Sequence, residues 1–322
     1  MSRSRVVVAA LAVALVLASC SSDDGGSTAA STTRSGGSGV TSATTGTTEQ
    51  VDRPDGPAVK VVRELPEGTP FLGAARATKD LKAAGYVEHE LEVSGTATSY
   101  EPEGDLPEDG DWKLKETGEK GEFRTRIIVR RPAKAADSNG TVLVEWLNVS
   151  GGLDANPDYS YTEDEILRGG YTWIGVSAQS IGIEGGPVAV PVAKDNPMVS
   201  AVIGKGLKKI DPSRYGDLSH PGDQFSYDMF TQVARALRND DGKILDGVPV
   251  ERIIAMGESQ SAFALTTYAN GIQPLTEAFD GFLIHSRGGP GLPLSGRDKP
   301  DIDIASAITG SAVKIRTDLR AP

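Results

Sequence analysis

The sequence predicts an α/β fold with a doubly wound, mostly parallel sheet. Short β-branched runs alternate with amphipathic stretches from about residue 57 onward, which is the order expected of strand–helix units. The run at 141–147 is almost continuously apolar at its start, as strands covered on both faces tend to be. A chain of 322 residues is long enough for one large domain or two ordinary ones.

The first half of the predicted domain contains three strands and one short helix. In chain order these are a strand at 123–130, a strand at 141–147, a helix near 163–168 and a strand at 172–176. The dipeptide Asn139-Gly140 supplies a turn before the second strand. The stretch 180–222 is rich in glycine and proline and predicts an irregular insertion or lid, because compact domains seldom carry such long connections without a use.

The second half continues the alternation. Apolar residues recur every four positions from Phe225 to Leu237, which predicts an amphipathic helix with Asp223 as its cap. The elements that follow are a strand at 252–256, a tight turn, a helix at 262–268 and a strand at 282–284. The chain shows no internal repeat.

Composition excludes several classes of protein. The formal net charge of −11 disfavours a nucleic-acid partner, because the phosphate polyanion would be repelled. A single cysteine excludes an internal disulfide framework and a zinc site built from several thiolates. The three histidines form no H-E-x-x-H pattern, so a metalloprotease is not indicated.

The N-terminus is typical of an exported protein. Arg3 and Arg5 precede an apolar or small run at 6–18, whose helical length of about 20 Å is short of the roughly 30 Å hydrocarbon core. This pattern predicts a secretory signal peptide; the alternative is a buried N-terminal helix. The residues that end the run, Leu17-Ala18-Ser19-Cys20, resemble the lipobox of bacterial lipoproteins, in which the cysteine is lipidated. Ordinary cleavage nearby remains the alternative to lipidation.

Three segments are therefore expected. Residues 1–20 form the signal peptide with its lipobox, and 21–56 form a flexible linker, since 21 of the 28 residues at 21–48 are Ser, Thr or Gly. Residues 57–322 form the folded domain. Several acyl chains on Cys20 would anchor the protein durably in the lipid bilayer at the outer face of the cytoplasmic membrane or cell envelope.

A candidate nucleophile lies between the predicted strand at 252–256 and the helix at 262–268. Residues 257–261 read Gly-Glu-Ser-Gln-Ser, which is close to the G-x-S-x-G nucleophile elbow, with Ser261 in place of the last glycine. Such a turn presents the Ser259 hydroxyl above the sheet, and the next helix aims its backbone amides at it. The alternative is a polar turn in which Ser259 or Ser261 caps the helix.

These residues resemble the α/β-hydrolase superfamily, and most closely the exported bacterial α/β-hydrolase-domain proteins. The strings that carry the resemblance are Asn-Val-Ser-Gly-Gly at 148–152, Leu-Ser-His-Pro-Gly-Asp at 218–223, the elbow at 257–261, and Phe-Leu-Ile-His-Ser-Arg-Gly at 282–288. The likeness spans about 57–322. It implies hydrolysis of a small ester-like substrate through a Ser259 acyl-enzyme, without a cofactor. It also implies that the amide of Gln260 and that of Gly151 or Gly152 bind the oxyanion.

The rest of the expected triad is harder to place. In this fold an acidic residue and then a histidine follow the serine, but only 63 residues follow Ser259. The expectation is a chain incomplete at its C-terminal end, with the usual acid and base beyond residue 322. His285 is a pocket residue or, alternatively, the base. The aspartates at 298, 301 and 303 could orient it, although a charged loop is the simpler interpretation.

Three functions remain open from the sequence. The first is an anchored, extracytoplasmic serine hydrolase of carboxylesterase type. The second is a non-catalytic lipoprotein that uses a truncated fold to bind a ligand or partner. The third is a peptidase with the same serine. His220 and His89 are expected in a loop and a solvated strand, respectively.

Overall fold

A computed structural model describes residues 53–66, 68, 77–190, 200–289, 291–294 and 312–319. The description that follows concerns the unit Val51–Pro322. The predicted signal peptide, Cys20 and nearly all of the linker lie outside the described residues, as do the aspartates at 298, 301 and 303.

One sheet organises the described part of the chain. Its strands are β1 (Lys60–Glu64), β2 (Tyr86–Pro102), β3 (Leu114–Pro132), β4 (Thr141–Trp146), β5 (Thr172–Val176), β6 (Arg252–Glu258) and β7 (Gly281–His285). Their order across the sheet is β1-β2-β3-β5-β4-β6-β7. The pairs β5/β4, β4/β6 and β6/β7 are parallel, and β1/β2, β2/β3 and β3/β5 are antiparallel. Five strands (β2, β5, β4, β6 and β7) therefore run the same way, and the predicted mostly parallel α/β sheet is confirmed.

Helices cover both faces of this sheet. The α-helices are α1 (Pro157–Gly169), α2 (Ser180–Glu184), α3 (Leu207–Ile210), α4 (Pro212–Tyr215), α5 (Ser226–Arg238), α6 (Gln260–Thr267) and α7 (Gln273–Thr276). Short 3-10 helices lie at Ala135–Asp137 and Asp223–Phe225, and a π-helix at Tyr268–Ile272 joins α6 to α7. Helix α1 contacts β5 and β6, whereas α5 contacts β2 and α6 contacts β6 and β7.

The core is divided by the sheet into two layers, because successive strand residues point to opposite faces. In β3, Ile127 and Val129 belong to the larger apolar cluster, which contains the buried side of α5, while Ile128 between them belongs to the cluster under α1. In β5, Ile174 likewise belongs to the larger cluster and Trp173 to the cluster under α1. This double coverage explains why β4 and β5 are apolar along most of their length.

Several predicted elements differ from the structure. The helix expected near 163–168 begins six residues earlier, at Pro157, because a proline fits the first helical turn. The stretch 180–222, which the sequence predicts to be an irregular insertion or lid, contains the short helices α2, α3 and α4. Asp223 does not cap α5: its Oδ1 accepts from the amide of Ser180, the first residue of α2, at 2.7 Å.

Two further observations complete the architecture. Strands β2 and β3 form a long antiparallel pair, of which the sequence predicts only a strand around His89 and the strand at 123–130. No helix within the described residues combines the length and the apolar character needed to cross a membrane.

Candidate active site

The candidate nucleophile lies in a strained turn at the end of β6. Strand β6 ends at Glu258 and α6 begins at Gln260, so Ser259 alone connects them. Its backbone has φ 54° and ψ −113°, a region that a non-glycine residue rarely occupies. Its amide donates to the carbonyl of His285 at 3.0 Å, and its own carbonyl accepts from Phe263 at 3.2 Å. The turn is thus held on both sides, by β7 and by α6.

Small residues allow helix α6 to close against β6. A methyl group added at Gly257 would stand 3.0 Å from Ser261 Cβ and 3.1 Å from Leu265 Cδ1. Ser261 is fully buried, so its side chain fits where the superfamily pattern has a glycine. The substitution at 261 therefore leaves the elbow geometry intact.

Ser259 is half-buried, and its hydroxyl makes no hydrogen bond to any described residue. This contradicts the alternative in which Ser259 caps the helix with its side chain, since the first turn of α6 receives no side-chain cap. The hydroxyl is available to a ligand.

The loop after β4 is joined directly to the elbow. Asn148 and Ala155 pair across the base of the loop through two backbone hydrogen bonds of 2.9 Å. The Asn148 side chain donates to the carbonyl of Glu258 at 2.9 Å, and the Val149 amide donates to Oε1 of Gln260 at 3.3 Å. Side chains on both sides therefore fix the distance between the glycine pair and the serine.

The two glycines differ in their backbone bonding. The Gly152 amide donates to the carbonyl of Val149 at 2.8 Å inside a turn, with φ 76° at Gly152. That bond removes Gly152 from the expected amide donors. Neither the Gly151 amide nor the Gln260 amide has an acceptor among the described residues. Of the three expected amides, those of Gly151 and Gln260 therefore remain free to bind a ligand, and their role as oxyanion donors stays a prediction.

His285 ends β7, directly opposite Glu258 in the register of the sheet. Its Nδ1 lies 2.9 Å from Oδ1 of Asp158 on α1, and the ring meets Tyr161 edge-on at 5.6 Å. The His285 side chain is 44% exposed, whereas that of Asp158 is 2% exposed. A buried carboxylate therefore orients an accessible imidazole beside the elbow.

Burial perturbs the carboxyl groups in this region. Burial raises the pKa of Asp158, although the hydrogen bond and charge of His285 lower it. Burial and the charge of Asp158 raise the pKa of Glu258, whose half-buried side chain faces the same pair. Glu145, at the end of β4, is fully buried, and burial together with Asp158 raises its pKa to about 8. It accepts from the amides of Asp158 and Tyr159 at 3.0 and 2.9 Å.

Neither of the other two histidines is hydrogen-bonded to the elbow or to Asp158. His220 accepts from the Gly222 amide through Nδ1 at 3.1 Å, so its Nε2 carries the proton and donates to the carbonyl of Ala178 at 2.9 Å. Burial lowers the pKa of His220. His89 lies in β2 with its Nδ1 2.7 Å from Glu64. No group of three or more His, Cys, Asp or Glu in the described segments could hold a metal ion.

Two contributors to this region were missed in the sequence. Asp158 lies 127 positions before His285, so no motif in the sequence links the two residues. The dipeptide Asn156-Pro157 was the available signal, because proline at the first helical position would have started the helix there and placed Asp158 in its first turn. The side-chain role of Asn148 had no signal, since it depends on the proximity of two loops.

Comparisons with known proteins find solved structures that are similar to part of this chain. No curated protein matches the sequence. A glucuronoyl esterase from Solibacter usitatus is 12% identical with a TM-score of 0.35, over 82% of this chain and 60% of that one. Esterase Est22 is 16% identical with a TM-score of 0.33, over 73% and 53%. A glucuronoyl esterase from Caldicellulosiruptor kristjansonii is 14% identical with a TM-score of 0.30, over 63% and 42%. The chain spans less than two thirds of each of these structures.

The family is established by a comparison over most of the chain. The sequence profile of the family described as "Alpha/beta hydrolase domain" matches residues 51–322. That range contains the sheet, the elbow and the loop after β4 described above, and it confirms the resemblance carried by those motifs. The chain belongs to the α/β-hydrolase domain family.

Proposed function

We propose that this protein is a serine hydrolase of carboxylesterase type that acts on small ester-like substrates. The observation that carries the proposal is the backbone of Ser259, with φ 54° at the junction of β6 and α6. Strained backbone of this kind persists only where the surrounding structure stabilises it, and it clusters at active sites. Here the strain presents a hydroxyl without a partner among the described residues.

The proposed reaction proceeds through an acyl-enzyme. Ser259 Oγ attacks the carbonyl carbon of the ester, and its proton passes to a base. The carbonyl oxygen becomes an oxyanion, which accepts hydrogen bonds from the amides of Gly151 and Gln260. When the tetrahedral intermediate collapses, the protonated base gives its proton to the departing alcohol. Water then attacks the acyl carbon while the same base takes its proton, and the base returns that proton to Ser259 Oγ as the carboxylic acid leaves.

The amide at Gln260 has an additional electrostatic advantage. It is the first residue of α6, so its N–H is one of those at the positive end of the helix that have no partner within the helix. Where oxyanion donors have been removed singly from such enzymes, the loss is about 3–4 kcal/mol of transition-state stabilisation.

A covalent probe tests the proposal. A fluorophosphonate should label the wild-type protein at one site, and Ser259→Ala should abolish the label, because the probe requires an activated serine. The readout is intact-protein mass followed by peptide mapping. Ser261→Ala is the matched control, since Ser261 lies two residues away and is fully buried, and it should keep most of the label. Equal labelling of wild type and Ser259→Ala would contradict the proposal.

We propose further that the protein acts at the cell envelope, tethered through a lipid on Cys20. The support is the sequence at 17–20 and its position directly after the apolar run at 6–18. A linker of Ser, Thr and Gly would then separate the hydrolase domain from the bilayer.

A further inference from the structure

A buried cluster of charged residues lies behind the loop that carries Gly151. Its centre is Arg126 on β3, whose side chain is 0% exposed. Arg126 Nη2 donates to Oδ2 of Asp154 at 2.5 Å, and Nη1 donates to Oε1 of Glu90 at 3.0 Å. Arg126 Nε donates to the hydroxyl of Ser177 at 3.0 Å, and that hydroxyl donates to Asp154 at 2.5 Å. Asp154 is therefore held by two partners through one oxygen.

Asp154 occupies a critical place in the loop. It immediately precedes Ala155, which closes the loop by pairing with Asn148, and it follows Gly151 by three residues. Helix α2 has a glycine where it passes the carboxylate: a methyl group at Gly182 would stand 2.1 Å from Asp154 Oδ1. While Asp154 keeps its position, there is no room for a side chain at position 182.

The cluster also reaches the segment between β5 and α5. Glu90 on β2 accepts from Nε of Arg214 at 2.9 Å and from the hydroxyl of Tyr215 at 2.9 Å, both on α4. Two buried arginines thus face two buried carboxylates. Burial by itself would lower the pKa of Arg126, but the charges of Asp154 and Glu90 raise it, so this guanidinium is always charged. Removal of one carboxylate would leave a buried charge partly uncompensated.

We propose that Asp154 and Arg126 are positioning residues that hold the Gly151 amide at its working distance from Ser259. They act by anchoring the C-terminal side of the 148–155 loop, through the hydrogen bonds of Arg126 and Ser177 to Asp154. The N-terminal side is already fixed to the elbow by Asn148 and by the Gln260 side chain. The expected effect on labelling and turnover rests on the proposed function. The expected effect on the position of the 148–155 loop does not.

The test uses Asp154→Asn in the full chain, with two measurements. The first is the rate of fluorophosphonate labelling and the kcat and KM for p-nitrophenyl acetate. We expect labelling and kcat to fall by about 10- to 100-fold with little change in KM, because a small misplacement of a catalytic group has that effect. The second is hydrogen exchange, in which the amides of 148–155 should exchange faster than in the wild type.

Glu88→Gln is the matched control. Glu88 lies two residues before Glu90 on the same strand and pairs with the buried Arg130 at 2.7 Å, but that pair lies beside Tyr159 and Trp173 instead of the loop. It should leave labelling and exchange at 148–155 close to wild type. Arg126→Lys keeps the charge but loses the planar set of N–H donors. Its labelling rate and its exchange at 148–155 should therefore lie between those of Asp154→Asn and wild type.

The outcomes separate the two proposals. Wild-type labelling and exchange in Asp154→Asn would overturn the positioning role, and so would equal effects of Asp154→Asn and Glu88→Gln. If the wild type itself takes no probe, the proposed function fails and hydrogen exchange alone decides the positioning role. If Asp154→Asn does not fold, Ser177→Ala, which removes one of the two donors to Asp154, replaces it and should give a smaller change in the same direction.

Discussion

At the scale of single residues, Ser259 holds a backbone conformation that costs of order 1–3 kcal/mol in a residue with a side chain. Two backbone hydrogen bonds, to His285 and from Phe263, oppose that cost. The glycine at 257 lets the following helix approach closely enough to make the second bond. Strain at one residue is thus stabilised by neighbours from a strand and a helix.

His285 provides a prediction at the same scale. We propose that it lines the site, with Asp158 fixing Nδ1 so that Nε2 faces the solvent and the substrate. If His285 only lines the site, His285→Gln should raise KM for a p-nitrophenyl ester several-fold. It should change the rate of fluorophosphonate labelling by less than about tenfold, whereas loss of a general base costs about 10²- to 10⁴-fold. Steady-state kinetics and labelling on the same preparation measure both quantities.

The matched variant for this experiment is His220→Gln, since that imidazole is hydrogen-bonded to Ala178 and Gly222 and to no residue of the elbow. It should change neither KM nor the labelling rate beyond its effect on the folded fraction. A loss of labelling greater than about 100-fold in His285→Gln would instead identify His285 as the base.

At the scale of elements, the start of helix α1 depends on a buried acid. Glu145 accepts from the first amides of α1 and from Trp173 Nε1 at 2.9 Å, so it joins the helix to β4 and β5. Burial and Asp158 raise its pKa to about 8. Between the ordinary pKa of glutamate and about pH 8, the folded chain therefore keeps a proton that the unfolded chain has released.

The stability of the protein should depend on pH for that reason. Since the folded state binds more protons in this interval, the Glu145 contribution to the free energy of unfolding decreases as pH rises toward 8, by at most about 1.4 kcal/mol per pH unit. Glu145→Gln cannot titrate, so its stability should fall less between pH 5 and pH 8. Urea denaturation at several pH values measures the difference, and parallel curves for the two proteins would contradict it.

The same scale shows which elements a sequence can predict. Strands β4, β5 and β6 were found because their apolar, β-branched runs reflect burial on both faces. A strand around His89 is confirmed in β2, but its length and its burial were not predicted, because the glutamates at 88, 90 and 92 suggest solvent. Glu90 is nevertheless buried, since Arg126 and Arg214 compensate its charge. That compensation comes from other elements and leaves no local pattern.

The site divides in a similar way. The elbow at 257–261 was recognisable because a strand, a turn and a helix are adjacent in sequence. The pair of Asp158 and His285, and the choice of Gly151 over Gly152, depend on loops that meet only after folding. The spacing of residues in a single sequence does not indicate which distant segments come into contact.

At the scale of the whole molecule, the proposed lipid anchor gives the last prediction. Cys20→Ala should move the protein from the membrane fraction to the soluble fraction of the native host, because the acyl chains supply the binding free energy. Fractionation and the mass of the N-terminal peptide measure this. Fluorophosphonate labelling of Ser259 should be unchanged, which separates anchoring from catalysis. A Cys20→Ala variant that stays with the membrane would contradict the lipid anchor.

Gln260 has a consequence for anyone who redesigns this protein. Its backbone begins α6 beside the nucleophile, while its carboxamide accepts from Val149 at 3.3 Å and donates to Gln179 at 2.7 Å. Substitution at 260 therefore alters three segments together, and its effects should be epistatic with changes at 148–150. Directed-evolution libraries that sample 260 alone would discard combinations that only joint randomisation with that loop can recover.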